Sequence, residues 1–161
     1  MLYPFWFKLL IYFLSQSICK DFNWRKIYKI TITNGSANAK VLVRGTLNLA
    51  SGATNMYWKL LTDATTTTEA GYTTNVQQGT AGYLTVGGNT GGSGAAAATL
   101  ELAGSAHQDI YVMVWLEETG SPQETTAVHD AGKSYTGTVT FNAVDASGNT
   151  GTGVTATFTA G

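Results

Sequence analysis

The chain has 161 residues, of which only 12% are charged, and a formal net charge of -1. This length is that of one domain with a sizeable core. The near-neutral balance, without a run of Lys and Arg, argues against a nucleic-acid partner. The single cysteine, Cys19, excludes an intramolecular disulfide and a metal site built from cysteines. We therefore expect a fold that depends on packing and a surface whose polarity comes from hydroxyl groups.

The N-terminal segment is apolar and aromatic from Leu2 to Leu14 and is interrupted by Lys8. It is too short for a transmembrane helix and resembles the apolar part of a signal peptide, without its usual leading charge or small-residue cleavage site. We interpret residues 1–21 as an atypical signal or a poorly defined N-terminal segment. Residues 22–161 are interpreted as a single β-sandwich domain, with no stable membrane span in the mature protein.

Several segments combine β-branched and aromatic residues with flanking turn residues, which is typical of strands. In chain order they are Lys26 to Thr33, Lys40 to Leu49, Met56 to Leu61, Gly82 to Val86, Ala95 to Leu102 and Asp109 to Leu116. Asn34-Gly35 predicts a tight turn after the first strand, in preference to the N-glycosylation site that Asn34-Gly35-Ser36 also fits. Thr62 to Thr74 is predicted to be a loop or weak edge strand, and Gly87 to Gly94 a flexible connection.

The C-terminal part predicts a β-hairpin. Apolar residues alternate with polar ones from Tyr135 to Ala143 and again from Val154 to Phe158, with the Gly- and Asn-containing stretch Asp145 to Gly153 between them. A period of two is the pattern of a half-buried antiparallel pair, because successive side chains leave a strand on opposite faces. The exposed face of this hairpin is expected to consist mainly of threonine.

Two further patterns indicate how the strands are arranged. Ile110 to Leu116 is apolar on both faces, which is typical of a central strand covered on both sides. Thr46 to Ala53 is echoed by Thr99 to Ala106, and an aromatic strand follows each. The economical architecture is all-β, a two-sheet sandwich of jelly-roll or immunoglobulin-like kind.

The sequence offers no convincing catalytic, cofactor or metal site. His107 and His129 each lie near an aspartate but have no third ligand at a suitable spacing. Glu117 and Glu118 are adjacent on a strand and would point to opposite faces, so they cannot act as paired hydrolase carboxylates. Asp145 and its loop lack the bidentate Glu of a calcium site. We predict that the protein is not an enzyme and needs no cofactor.

Two stretches carry a resemblance beyond their periodicity: Tyr111 to Gly120 followed by Gln123, and Ala131 to Phe141 followed by Gly153 to Phe158. They resemble the C-terminal half of secreted bacterial surface proteins of the TasA and camelysin type, and Ile30 to Asn34 with Val41 to Gly45 resembles their early strands. The resemblance implies a jelly-roll subunit exported to the cell surface. Members build biofilm-matrix fibres by passing an N-terminal strand into the next subunit, a form of donor-strand complementation. The proteolysis linked to camelysin-like members is not expected here, because no His-Glu-x-x-His motif is present.

We therefore expect an extracellular or cell-surface structural subunit that assembles with itself by β-strand addition. Strand addition works because an edge strand presents unpaired backbone groups, and alternate side-chain slots set the register. The subunit-contact candidates are apolar residues near the start of the domain: Phe22, Trp24, Ile27, Tyr28, Ile30 and Ile32. In the alternative interpretation, Lys26 to Thr33 is the domain's own first strand and the donated segment lies further N-terminal.

A rival hypothesis of another class is a monomeric adhesin or carbohydrate-binding module. In that case exposed aromatic residues would form a platform on which sugars stack: Tyr57, Trp58, Tyr72 and Tyr83. Aromatic residues on strands belong more often to the core. Possible glycan contact is kept open, and solution size distinguishes the two hypotheses.

Overall fold

The structure is a computed structural model that describes residues 7–10, 16–18, 25–61, 75–84, 90–91, 99–117, 133–145 and 147–160. Every element in these ranges is a β-strand. The strands are β1 (Phe7–Leu10), β2 (Gln16–Ile18), β3 (Arg25–Asn34), β4 (Val41–Ser51), β5 (Met56–Leu61), β6 (Val76–Gln77), β7 (Ala81–Tyr83), β8 (Thr90–Gly91), β9 (Thr99–Leu102), β10 (His107–Leu116), β11 (Tyr135–Val144) and β12 (Thr150–Ala160).

The strands form two sheets, which confirms the predicted all-β sandwich. Sheet A has the order β1-β3-β10-β5-β6, and β2 also pairs with β3. Sheet B has the order β12-β11-β4-β9-β8, and β7 also pairs with β4. All of these pairs are antiparallel.

The core lies between the two sheets and follows from the period of two along each strand. In β3 the inward residues Tyr28, Ile30 and Ile32 are buried, and the outward residues between them are partly exposed. The largest fully buried side chain is that of Trp58 in β5, and its ring fills the space above Gly82, where an added Cβ would lie 2.6 Å from it. Close packing at such positions explains why β7 begins with the small residues Ala81 and Gly82.

Two sequence predictions of strand position are confirmed. β10 lies between β3 and β5, and four consecutive residues are buried, Val112 to Trp115. β11 and β12 form the predicted hairpin, with Tyr135 opposite Ala160 and Phe141 opposite Val154. The register shifts between Asn142 and Val144, where the hairpin approaches its turn.

The internal echo corresponds to two similar units. In each unit a strand of sheet B leads into a strand of sheet A: β4 into β5, and β9 into β10. The two units pair with each other in both sheets, because β4 pairs with β9 and β5 pairs with β10. The repeated sequence thus marks the centre of the sandwich.

The structure differs from the sequence prediction at Asn34-Gly35. Asn34 ends β3, but the chain crosses from there to the other sheet instead of forming a hairpin. The Asn34 side chain is buried, and its Nδ2 donates to the carbonyl oxygens of Ala39 (2.7 Å) and Ala103 (3.0 Å) while Oδ1 accepts from the Ser36 backbone. This amide clamps two loops together and leaves no room for a glycan on Nδ2 in the folded domain.

Candidate functional site

The edges of the two sheets differ in length and in how they are covered. At one end of each sheet lies a strand of only two residues, β6 in sheet A and β8 in sheet B. At the other end of sheet B lies β12 with eleven residues, and at the other end of sheet A the ten-residue strand β3 is flanked on its outer side by the short strands β1 and β2. Short edges offer little to an incoming strand, whereas long ones are templates for pairing. The two long edges are therefore the candidate functional surfaces of this domain.

The edge of β3 is covered by two short pieces of the N-terminal segment. β1 and β2 both run antiparallel to β3, with Phe7 opposite Asn34 and Ile18 opposite Arg25. Leu10 stands opposite Thr31 and Gln16 opposite Ile27. These two short ladders lie on the side of β3 away from β10, whose own ladder with β3 continues from Arg25 to Thr33.

The outward face of sheet A carries a second apolar cluster. This outer-face cluster consists of Ile27, Tyr57, Leu61, Tyr111, Met113 and Trp115. The indole ring of Trp115 stacks on Tyr57 with ring centroids 5.9 Å apart, and its Nε1 donates to Glu117 Oε2 at 2.6 Å. Trp115 is only 6% exposed and Leu61 1% exposed. Sheet A is thus apolar on both faces at β5 and β10, whereas β3 contributes only Ile27 to the outer-face cluster.

A polar group borders the outer-face cluster at the other end of β3. Lys29 Nζ lies 2.8 Å from Asp109 Oδ2, and Thr31 Oγ1 donates to Asp109 Oδ1 at 2.6 Å. Partial burial disfavours the charged form of Asp109, but the hydrogen bonds from Lys29 and Thr31 outweigh it, so the pKa of this carboxyl lies below its usual value. The hydrogen bond to Asp109 stabilises the protonated amine of Lys29 and so raises the pKa of Lys29. This ion pair fixes the register of β3 against β10.

The six subunit-contact candidates from the sequence do not form one surface. Tyr28, Ile30 and Ile32 point into the core of the domain, and Ile27 belongs to the outer-face cluster. Phe22 and Trp24 lie outside the described residues. In this structure Lys26 to Thr33 is an internal strand paired with β10. The backbone edge of β3 was not anticipated from the sequence as the place where the N-terminal segment pairs.

The aromatic residues considered for glycan contact are separated by the fold. Trp58 is completely buried in the core, whereas Tyr57 lies on the outward face of sheet A. Tyr83 is 54% exposed in β7 of sheet B, with the Arg44 guanidinium 6.0 Å from its ring centre. Tyr72 lies outside the described residues. The structure therefore brings no two of these rings to a common platform among the residues it describes.

The ionisable residues considered from the sequence are held in local contacts. His107 is exposed at the start of β10, and Glu117 accepts the hydrogen bond of Trp115. The Asp145 carboxylate accepts from the Ser147 and Asn149 backbones and from Asn149 Nδ2, which close the turn before β12 and lower its pKa. In the described part of the chain no group of three His, Cys, Asp or Glu converges. His129 and Glu118 lie outside it.

No helix that could cross a membrane occurs among the residues whose structure is described. A comparison of the chain with protein-family models, with curated proteins and with solved structures finds no match. The sheet edges and the resemblance stated above are therefore the features that bear on the function of this protein.

Proposed function

We propose that this protein is an exported structural subunit of extracellular fibres or a surface layer, of the biofilm-matrix type, and that its subunits assemble by β-strand addition. The observation that supports this proposal most is the pairing of the N-terminal segment with the edge of β3. β1 and β2 have only four and three residues and pair with that edge as two short strands. Such pairing is weak enough to exchange between copies, because each short ladder contributes few hydrogen bonds.

β3 has extensive contacts with the rest of the domain, which supports the proposal that β1 and β2 can leave its edge without unfolding the domain. β3 contributes to both clusters of buried apolar residues, with Ile27 in one and Tyr28, Ile30 and Ile32 in the other. β3 itself is held by the long ladder to β10 and by the Lys29–Asp109 ion pair. When β1 and β2 depart, β3 becomes an open ten-residue edge. An equivalent segment from another copy completes the same ladder in trans.

The apolar character of the N-terminal segment agrees with such a donated strand. Residues 2–14 are apolar and aromatic apart from Lys8, while the rest of the chain relies on Thr, Ser and Gly for polarity. Next to the β3 edge, sheet A offers the buried apolar residues Tyr28, Ile30 and Ile32 on its inward face and Ile27 on its outward face. Backbone groups would supply affinity and these apolar neighbours the register.

Export to the cell surface is supported by the composition and by the resemblance to TasA and camelysin-type proteins. Few charges and many hydroxyl groups suit a subunit that packs against copies of itself, because like charges would repel at every repeat. The uncharged threonine face of the β11–β12 hairpin is an instance, with Thr140 and Thr155 hydroxyls 3.0 Å apart. The proposed partner is the same protein, as a homopolymer.

The test compares the full chain with the variant Leu10→Pro/Gln16→Pro. Leu10 and Gln16 stand opposite Thr31 and Ile27, whose backbone groups face away from β10, so their N–H groups belong to the ladders with β3 and proline removes them. We expect the full chain to sediment as polymers that are visible as fibres by negative-stain microscopy, and the variant to form no species larger than a dimer, with an unchanged circular dichroism signal. The matched control is Leu9→Pro/Ser17→Pro, at positions of the same two strands whose N–H groups point away from β3, where an edge strand tolerates proline.

Two outcomes contradict strand addition. Polymers that persist in the Leu10→Pro/Gln16→Pro variant exclude donation from this end. A full chain that is monomeric at all concentrations and binds a glycan favours the monomeric adhesin or carbohydrate-binding module instead.

A further inference from the structure

The second long edge of the sandwich, β12, has a chemistry that differs from that of β3. Its sequence from Thr150 to Ala160 contains no charged residue and no proline. Natural edge strands are commonly protected from pairing by lysine, proline, a bulge or short length. β12 has none of these devices between Val154 and Ala160, where its register with β11 is regular. An eleven-residue edge of this kind is a template for another strand.

The exposure of the side chains indicates that this edge is open. The outward threonines of β11, Thr136, Thr138 and Thr140, are partly buried because strands flank them on both sides. The outward threonines opposite them in β12, Thr155, Thr157 and Thr159, are exposed. Among the residues that the structure describes, β12 pairs with β11 alone. The threonine surface of the hairpin thus extends to β12, the edge strand of sheet B.

The occupant that fits this edge is a second copy of the same strand. Three successive rows of the hairpin are threonine against threonine, and the hydroxyls of Thr140 and Thr155 are 3.0 Å apart. Cross-strand threonine pairs stabilise antiparallel sheets. A two-fold axis beside Thr157 would continue the pattern, because it places Thr157 opposite itself and Thr155 opposite Thr159 of the second copy. An interface with two-fold symmetry must be self-complementary, and an uncharged threonine strand meets that requirement.

We infer that two copies of this protein pair through their β12 strands in antiparallel orientation, which joins two B sheets into one continuous sheet. This contact uses the opposite sheet from the proposed strand addition and does not depend on it. In a fibre it would act laterally, between subunits of neighbouring filaments. In the absence of fibres it would produce a dimer.

The first test places a lysine on the edge. Thr157→Lys puts two ammonium groups opposite each other at the two-fold axis, and like charges directly opposite are destabilising. The control Thr138→Lys makes the same change in the same row, one strand inward. Both are made in the full chain carrying Leu10→Pro/Gln16→Pro, so that strand addition does not contribute. We expect sedimentation equilibrium to show a concentration-dependent dimer for the background and for Thr138→Lys, and loss of the dimer for Thr157→Lys.

The second test locates the contact with a short bifunctional maleimide in a Cys19→Ser background. Two Thr157→Cys copies would lie on adjacent strands, whereas two Thr138→Cys copies would lie three strand spacings apart, about 14 Å at roughly 4.8 Å per spacing. We expect covalent dimers for Thr157→Cys and none for Thr138→Cys. A protein that stays monomeric at all concentrations, a dimer that survives Thr157→Lys, or equal cross-linking at both positions would overturn the inference. None of these results bears on strand addition.

Discussion

The phenol oxygens of Tyr28 in sheet A and Tyr135 in sheet B lie 2.6 Å apart and join the two sheets at one end of the sandwich. The Phe158 ring of β12 stacks on Tyr28 with centroids 4.1 Å apart, and meets Tyr135 edge-on at 6.5 Å. Burial raises the pKa of both phenols, so they remain protonated hydrogen-bond partners. This trio anchors the open edge strand β12 to the opposite sheet.

Removing one hydroxyl of this pair should destabilise the domain. Tyr135→Phe removes the hydroxyl that hydrogen-bonds to Tyr28, and a hydrogen bond of this kind contributes about 0.5–1.5 kcal/mol net. We expect a loss of that size in the free energy of unfolding measured by urea titration. The control Tyr83→Phe, at an exposed tyrosine, should change it little. A Tyr28→Phe/Tyr135→Phe variant that loses the sum of both single effects would show that the hydroxyls do not interact.

Adding one methyl group under Phe158 should also destabilise the hairpin. A Cβ at Gly137 would lie 2.0 Å from the Phe158 ring, so the ring must move off Tyr28. Overpacking of this kind costs about 1–3 kcal/mol. The measurement is the melting temperature of Gly137→Ala against Gly151→Ala, where the added Cβ meets nothing closer than 3.6 Å. Equal melting temperatures would mean that Phe158 does not pack over Gly137.

Truncation of Trp115 should severely impair folding. Its ring is buried in the outer-face cluster and stacks on Tyr57, and a buried Trp→Ala change costs about 3–5 kcal/mol. We expect Trp115→Ala to lose most of its soluble yield and Trp115→Phe to retain it with a lowered melting temperature. If Trp115→Ala melts like the unchanged protein, the outer face of sheet A is not part of the folded core.

The Asp109 carboxyl predicts how stability depends on pH. Its pKa in the folded domain lies below the usual 3.8, so its contribution is complete above that value and is lost as the pH falls through the lowered pKa. We expect Asp109→Asn to be less stable at pH 7 and to lose less stability than the unchanged protein between pH 5 and about pH 2. Urea titrations across that range measure both slopes, and parallel curves would contradict the role of the Lys29–Asp109 pair.

Much of the central fold could be predicted from the sequence because its signals are long. The apolar run from Ile110 to Leu116 was enough to place β10 between two neighbours, and the alternation from Tyr135 to Ala143 and from Val154 to Phe158 was enough to pair β11 with β12. The edges could not be predicted, since β6 and β8 have two residues each and carry no detectable period. Thr90–Gly91 of β8 even falls within the stretch predicted to be a flexible connection.

The candidate surfaces were only partly predictable for a related reason. A strand edge consists of backbone groups, which no side-chain pattern records, so the place where β1 and β2 meet β3 could not be inferred. The side-chain candidates Tyr28, Ile30 and Ile32 have the apolar alternation of a donated strand, but the same alternation describes a core strand. Asn34 shows the same ambiguity, because its amide serves a loop clamp as well as a turn.

Binding of the N-terminal segment in trans tests strand addition most directly. A fluorescent peptide of residues 7–20, with Ser in place of Cys19, would be titrated into the full chain carrying Leu10→Pro/Gln16→Pro. We expect saturable binding followed by anisotropy, no binding of a scrambled peptide, and competition by the unlabelled peptide. If the peptide fails to bind, or binds no better than its scrambled form, the edge of β3 does not accept a strand from another copy.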